Sequence, residues 1–92
     1  MKRDYMAAAA QLGPIAKDEP RSSAVARMIC LLHEAKACGA EVVVFPELAL
    51  TTFFPRWFFE NEAQLETWYE TQMPNKDVQP LFDAAAKLNI GF

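Results

Sequence analysis

The 92-residue chain is 52% apolar and 23% charged, and its net charge is −3. Its size and composition suit one small globular domain and no more. Its nine basic residues are scattered through an acidic chain, which argues against nucleic acid as a partner, because such binding needs a basic face to displace counterions.

Taken in chain order, residues 5–12 (Tyr-Met-Ala-Ala-Ala-Ala-Gln-Leu) come first. Four alanines favour helix by propensity. The run is nonetheless short, apolar and closed by the turn signal Gly13-Pro14, so a strand covered on both faces fits better. A helix is expected over about residues 19–38. Asp18 stands where it can cap the N-terminus, and Pro20 is tolerated in the first turn. Val25, Met28, Ile29, Leu32, Ala35 and the aliphatic stem of Lys36 recur near the helical period. Gly39 supplies the left-handed stop. Glu41-Val42-Val43-Val44-Phe45 then reads as a strand ended by Pro46, which has no N–H for the ladder.

Residues 48–59 lack a clean period and read as a long aromatic loop. So many large apolar groups in a loop imply packing against something. Asn61 and Gln64 resemble a capping box opening a short helix that contains Leu65, Trp68 and Tyr69. Pro74 closes that segment. A third helix is expected with Asp77 as its cap, Pro80 in its first turn, Val78, Leu81, Phe82, Ala85 and Leu88 on one face, and Asn89 just past its end. Ile90-Gly91-Phe92 opens what reads as another buried strand. The expected class is therefore α/β, with the alternation unfinished at residue 92 and an open sheet edge. Residues 1–92 are expected to be part of a larger domain.

Candidate chemistry centres on Glu47. In open α/β sheets ligands gather beyond the carboxyl ends of strands, and Glu47 follows the second strand directly. Flanking apolar residues would desolvate its carboxylate and raise its pKa towards that of a useful general base. On position and composition alone, an ordinary loop-surface glutamate fits better. Arg56 can clamp a substrate carboxylate, or equally stack on Trp57 or a neighbouring Phe. Phe53, Phe54, Trp57, Phe58 and Phe59 can line a pocket or a subunit contact, although plain loop packing is the simpler reading. His33, the only histidine, is expected on a solvent-facing helix position. The two cysteines, Cys30 and Cys38, lie eight residues apart in one expected helix. That is about 12 Å along the axis, too far for a disulfide. They read as small core hydrophobes, with no metal-binding Cys/His cluster around them. Free thiols and the absence of a signal segment or a membrane-length apolar run make a cytoplasmic protein the default.

The longer string Val43-Val44-Phe45-Pro46-Glu47-Leu48-Ala49-Leu50-Thr51-Thr52-Phe53-Phe54-Pro55-Arg56-Trp57 resembles the strand-then-Pro-Glu motif of the nitrilase superfamily. In particular it resembles the N-carbamoyl-D-amino acid hydrolase branch. Gln11–Ala16, Tyr69–Pro74 and Pro80-Leu81-Phe82 agree, so the resemblance covers nearly the whole chain. Phe58-Phe59 and Asn75-Lys76-Asp77 depart from the pattern, which has a His near the former and a Gly at the latter.

The resemblance implies the N-terminal portion of a four-layer α-β-β-α sandwich. It implies a Glu general base, a Lys that stabilises the oxyanion and a nucleophilic Cys, acting without metal or organic cofactor. Only Glu47 maps onto this chain, and the Lys and Cys are expected beyond Phe92. The implied reaction is hydrolysis of a small-molecule N-carbamoyl-D-amino acid, by an intact enzyme expected to be a homo-oligomer. Another superfamily amidase or ureidopropionase, or a truncated non-catalytic product, are the alternatives. The 92 residues alone are expected to be inactive.

Overall fold

The longest element of the computed structural model, which describes residues 3–92, is the helix α1 (Arg21–Ala37). It follows the apolar period: Ala24, Val25, Met28, Leu32 and Ala35 are buried, and Ile29 is half-buried. Lys36, expected on the same stripe, is exposed. The cap is not Asp18. A turn at Lys17-Asp18 carries that side chain away, and Pro20 occupies the cap position with no side-chain acceptor. At the other end Gly39 adopts φ +87°, its N–H reaches the Lys36 carbonyl at 3.0 Å, and Ala40 N–H reaches Ala35 at 3.0 Å. This is a Schellman closure, and it explains why a glycine stands there.

The closure feeds the chain into β2 (Val42–Val44), which pairs in parallel with β1 (Ala7–Ala9) in the register Ala7↔Val42, Ala8↔Val43, Ala9↔Val44. β1 is shorter than the expected strand over residues 5–12. Its residues alternate between exposed and half-buried, so the expectation of cover on both faces is not met. Alanine carries too little side chain to signal which face is covered. Gly91 forms a further parallel bridge to Val42: Gly91 N–H donates to the Glu41 carbonyl and Val43 N–H to that of Gly91, both at 2.9 Å. The expected strand at Ile90-Gly91-Phe92 is thus present as a single bridge, the start of a second ladder on β2.

α3 (Gln79–Leu88) returns the chain to the sheet and packs against α1. Leu81 and Ala85 are buried on it, and Phe82, Ala84 and Leu88 pack at the margin. Its C-terminus repeats the geometry of α1. Asn89 sits at φ +53°, with Asn89 N–H on the Ala86 carbonyl at 3.2 Å and Ile90 N–H on Ala85 at 3.0 Å. Leu32, Leu81, Val25, Val43 and Val78 are the largest fully buried side chains. They come from both helices and the central strand, so α1 and α3 cover the same face of the sheet. Each such burial contributes roughly 1.5–3 kcal/mol. The opposite face is open, and Val44 on it is 63% exposed.

The expected capping residue of α3 is also displaced. Val78 holds the cap position with no side-chain acceptor, and Asp77 lies in the turn before it, so Asp77 does not cap the helix. Asn75 acts instead, its Oδ1 accepting from Asp77 N–H and Val78 N–H, both at 3.0 Å. Its Nδ2 donates to Glu70 at 2.7 Å, and Glu70 also pairs with Arg21 of α1. One side chain therefore ties the start of α3 to the start of α1. α2 (Glu62–Glu66) is shorter than expected and ends before Trp68 and Tyr69. Its cap is as expected: Gln64 N–H donates to Asn61 Oδ1 at 3.0 Å, while the Gln64 side chain reaches back to Glu60 N–H at 3.2 Å.

Asn75→Ala is expected to lower stability by about 1–2 kcal/mol, because Asp77 N–H loses its acceptor, Val78 N–H keeps only the carbonyl of residue 75, and Glu70 loses a donor. A shift in the denaturation midpoint at unchanged m-value checks this.

Candidate active site

Beyond Val44 the chain leaves the sheet through Phe45-Pro46 and turns sharply at Glu47–Leu50. Leu48 in that turn has φ +52°, a left-handed conformation that a leucine rarely adopts. Strained backbone of this kind concentrates at functional sites. Thr51 N–H closes the turn on the Leu48 carbonyl at 3.4 Å. Glu47 thus stands just past the carboxyl end of β2, where its place in the sequence put it. Its side chain is exposed, so the apolar enclosure expected from its neighbours is absent. Of the flanking apolar residues, Phe45, Ala49 and Leu50 pack at the margin of the core, and Val44 and Leu48 are themselves exposed.

Glu47 borders a pocket of about 150 Å³. Leu12, Gly13 and Pro14 form one wall, Pro46, Glu47 and Leu48 the other, and Phe53 and Arg56 close it. The structure therefore brings Glu47 and Arg56 to one cavity, although they make no ion pair with each other. The Arg56 guanidinium also lies 6.0 Å from the ring centres of both Phe53 and Trp57, so it reaches the pocket while resting near aromatic faces. Lys17 sits over Trp57 at 4.7 Å.

The wall at Leu12–Pro14 is held from α1. Arg27 donates to the Leu12 carbonyl and, at 3.1 Å, to that of Pro14. It also pairs with Glu19 at 3.0 Å. The hydrogen bond from Arg27, with help from Ser23 and the Ala16 backbone, holds the Glu19 carboxyl below the usual glutamate range, against the opposing effect of burial. Sequence reasoning missed Arg27. A mid-helix arginine whose partners are backbone carbonyls 13 and 15 residues earlier leaves no local signature.

The aromatic loop divides in two. Phe54, in the 3-10 turn Phe54–Arg56, is buried, stacks with Trp68 at 6.2 Å and meets Tyr69 edge-on at 5.2 Å. That bears out loop packing for this ring. Phe58 is 89% exposed and packs nothing. His33 is solvent-facing as expected. Cys30 and Cys38 are free and exposed, which corrects their reading as core hydrophobes: both fall on the face of α1 turned away from α3 and the sheet. Neither lines the Glu47 pocket.

A larger cleft, of about 780 Å³, lies at the opposite, amino end of the strands, bordered by Arg3, Lys36, Glu41, Asn89 and Gly91. Glu41 there is paired with Arg3 at 3.4 Å. Among the described residues no cluster of His, Cys, Asp and Glu is arranged to hold a metal ion, and no helix is long and apolar enough to cross a membrane.

A strand-end glutamate beside a small pocket, one helical layer on one parallel sheet, and a strained turn between them make up the part of the fold that carries the Phe45–Trp57 string. The carbon-nitrogen hydrolase family model matches residues 6–92, and the chain belongs to that family, the nitrilase superfamily, as a portion of its α/β fold.

Proposed function

We propose that Glu47 is the general base of a Cys-dependent amidohydrolase acting on N-carbamoyl-D-amino acids. The family match supports hydrolysis of a carbon-nitrogen bond. The string Phe45–Trp57 supports the narrower substrate class. The observation that carries the reading is Glu47 at the carboxyl end of β2, on a pocket it shares with Arg56.

In this reading Glu47 accepts the proton of a cysteine thiol, and the thiolate attacks the ureido carbonyl carbon. A lysine cation stabilises the oxyanion. Ammonia leaves with the proton that Glu47 had taken. Glu47 then activates a water that opens the acyl-enzyme to the free thiol and an N-substituted carbamic acid, and that acid breaks down to the amino acid and carbon dioxide. One water is consumed, and the products are the D-amino acid, ammonia and carbon dioxide. A pocket of about 150 Å³ suits a small molecule, and the Arg56 cation suits its carboxylate. The lysine and cysteine are supplied outside the Glu47 pocket as it stands here. The remainder of the sandwich encloses the carboxylate that is exposed in this chain. The intact enzyme works as a cytoplasmic homo-oligomer without metal or organic cofactor.

Glu47→Gln in a catalytically competent protein carrying this segment is expected to fold and to lose turnover by at least about 10²–10⁴-fold, the scale of general-base catalysis. Near-normal kcat measured by ammonia release would refute the assignment. Purified 92-residue chain is expected to show no thiol-dependent ammonia release from N-carbamoyl-D-amino acids, since neither Cys30 nor Cys38 borders the pocket. A panel of aliphatic amides, nitriles and β-ureido acids, assayed on the competent protein, separates the substrate classes.

A further inference from the structure

We propose that Arg27 is the positioning residue of the Glu47 pocket, fixing the wall that faces the carboxylate; this rests on the reading of Glu47 as the base. Three observations converge on it. The Arg27 guanidinium bridges the Leu12 and Pro14 carbonyls, so it grips the loop on both sides of Gly13. Gly13 is at φ +79°, and a Cβ built there would stand 3.4 Å from Arg27 Nη2. A Cβ there would be in ordinary contact, so it is the left-handed backbone of the gripped loop that calls for glycine. Glu19 completes the arrangement, accepting from Arg27 Nη1 at 3.2 and 3.0 Å through its two oxygens.

The consequence reaches Glu47 because Leu12–Pro14 and Pro46–Leu48 are opposing walls of one narrow pocket. The Leu48 turn is strained and is closed by a hydrogen bond of 3.4 Å. Loss of the Arg27 contacts would let the Leu12–Pro14 side of the pocket move, and with it the Leu48 turn that borders the same space. Arg27 holds that side from α1, whose own position is set by the burial of Val25, Met28 and Leu32. It is held away from substrate and acts through the loop, whereas Arg56 faces the cavity itself.

The test is amide hydrogen exchange on the 92-residue chain, comparing wild type with Arg27→Met, Arg27→Lys and Glu19→Gln. Arg27→Met is expected to accelerate exchange beside both walls, at Glu19, whose N–H donates to the Ala16 carbonyl, and at Thr51, whose N–H closes the Leu48 turn. The increase should be roughly ten- to a hundredfold, the scale of losing hydrogen bonds to a charged group. Leu32 and Leu81, which report global opening, should keep wild-type rates. Arg27→Lys should restore part of the protection through the Glu19 pair. Acceleration at Glu19 with none at Thr51 would overturn the proposal, as would equal acceleration at Leu32 and Leu81. If Arg27→Met does not fold, Glu19→Gln carries the test, with a smaller acceleration expected at the same two walls and none expected at Leu32. Failure of the Glu47 assignment shows separately, as retained turnover of Glu47→Gln, and leaves these rates unchanged.

The same ion pair sets an acid limit. Because the Glu19 carboxyl is held below its ordinary value of 4.5, the stability it contributes is present above that value and is lost as pH falls through the lower folded value. Thermal unfolding across this range should show a flatter acid limb for Glu19→Gln than for wild type.

Discussion

The burial of Val43 beneath two helices is the constraint on which the rest of this structure depends. Val43 is the one residue of β2 that is fully covered, and it shares a single buried cluster with Leu32 of α1 and Leu81 of α3. Side chains alternate along a strand, so a slip of one residue would expose Val43 and drive Val42 or Val44 into the helical layer. It would also move the end of the strand by roughly 3.3 Å, and Glu47 with it. The position of the candidate base is therefore a consequence of core packing, not of any interaction that Glu47 makes itself.

Two helix closures deliver the chain to that sheet. Gly39 and Asn89 take up left-handed backbone at equivalent points, and the next residues, Ala40 and Ile90, are buried as the strands begin. The unit strand–helix–strand is thus built twice with the same device. Between the two copies the long segment through Phe54 and Trp68 is anchored by stacked rings, and Glu70 joins it to both Arg21 and Asn75.

What was legible in the sequence follows from how local each signal is. α1 and α3 could be read because the apolar period and the stop residues Gly39 and Asn89 lie within the elements themselves. The caps were misplaced by a few residues at Asp18 and Asp77. Several acceptors compete there, and the winner depends on where the first helical turn begins. The one-sided cover of β1 was hidden because four successive alanines carry no alternation. Glu47 was legible through its motif, whereas its exposure was not, since its apolar neighbours pack at the margin of the core or are themselves exposed. Arg27 was invisible because its partners are backbone atoms brought near by the fold.

The antiparallel run of α1 and α3 against the strands has an electrical consequence. Both helices start at the carboxyl end of the sheet and finish at its amino end, so their peptide dipoles align, each equivalent to about half a unit charge at either terminus. Lys36 and Lys87 occupy the last turns, where they oppose the negative poles. Neither first turn carries an acidic residue, and Glu19, just ahead of α1, is taken up by Arg27. The sheet is therefore polarised along its strands, with its positive pole on the side of Glu47. The backbone of both helices thus makes a positive contribution at the end where Glu47 stands.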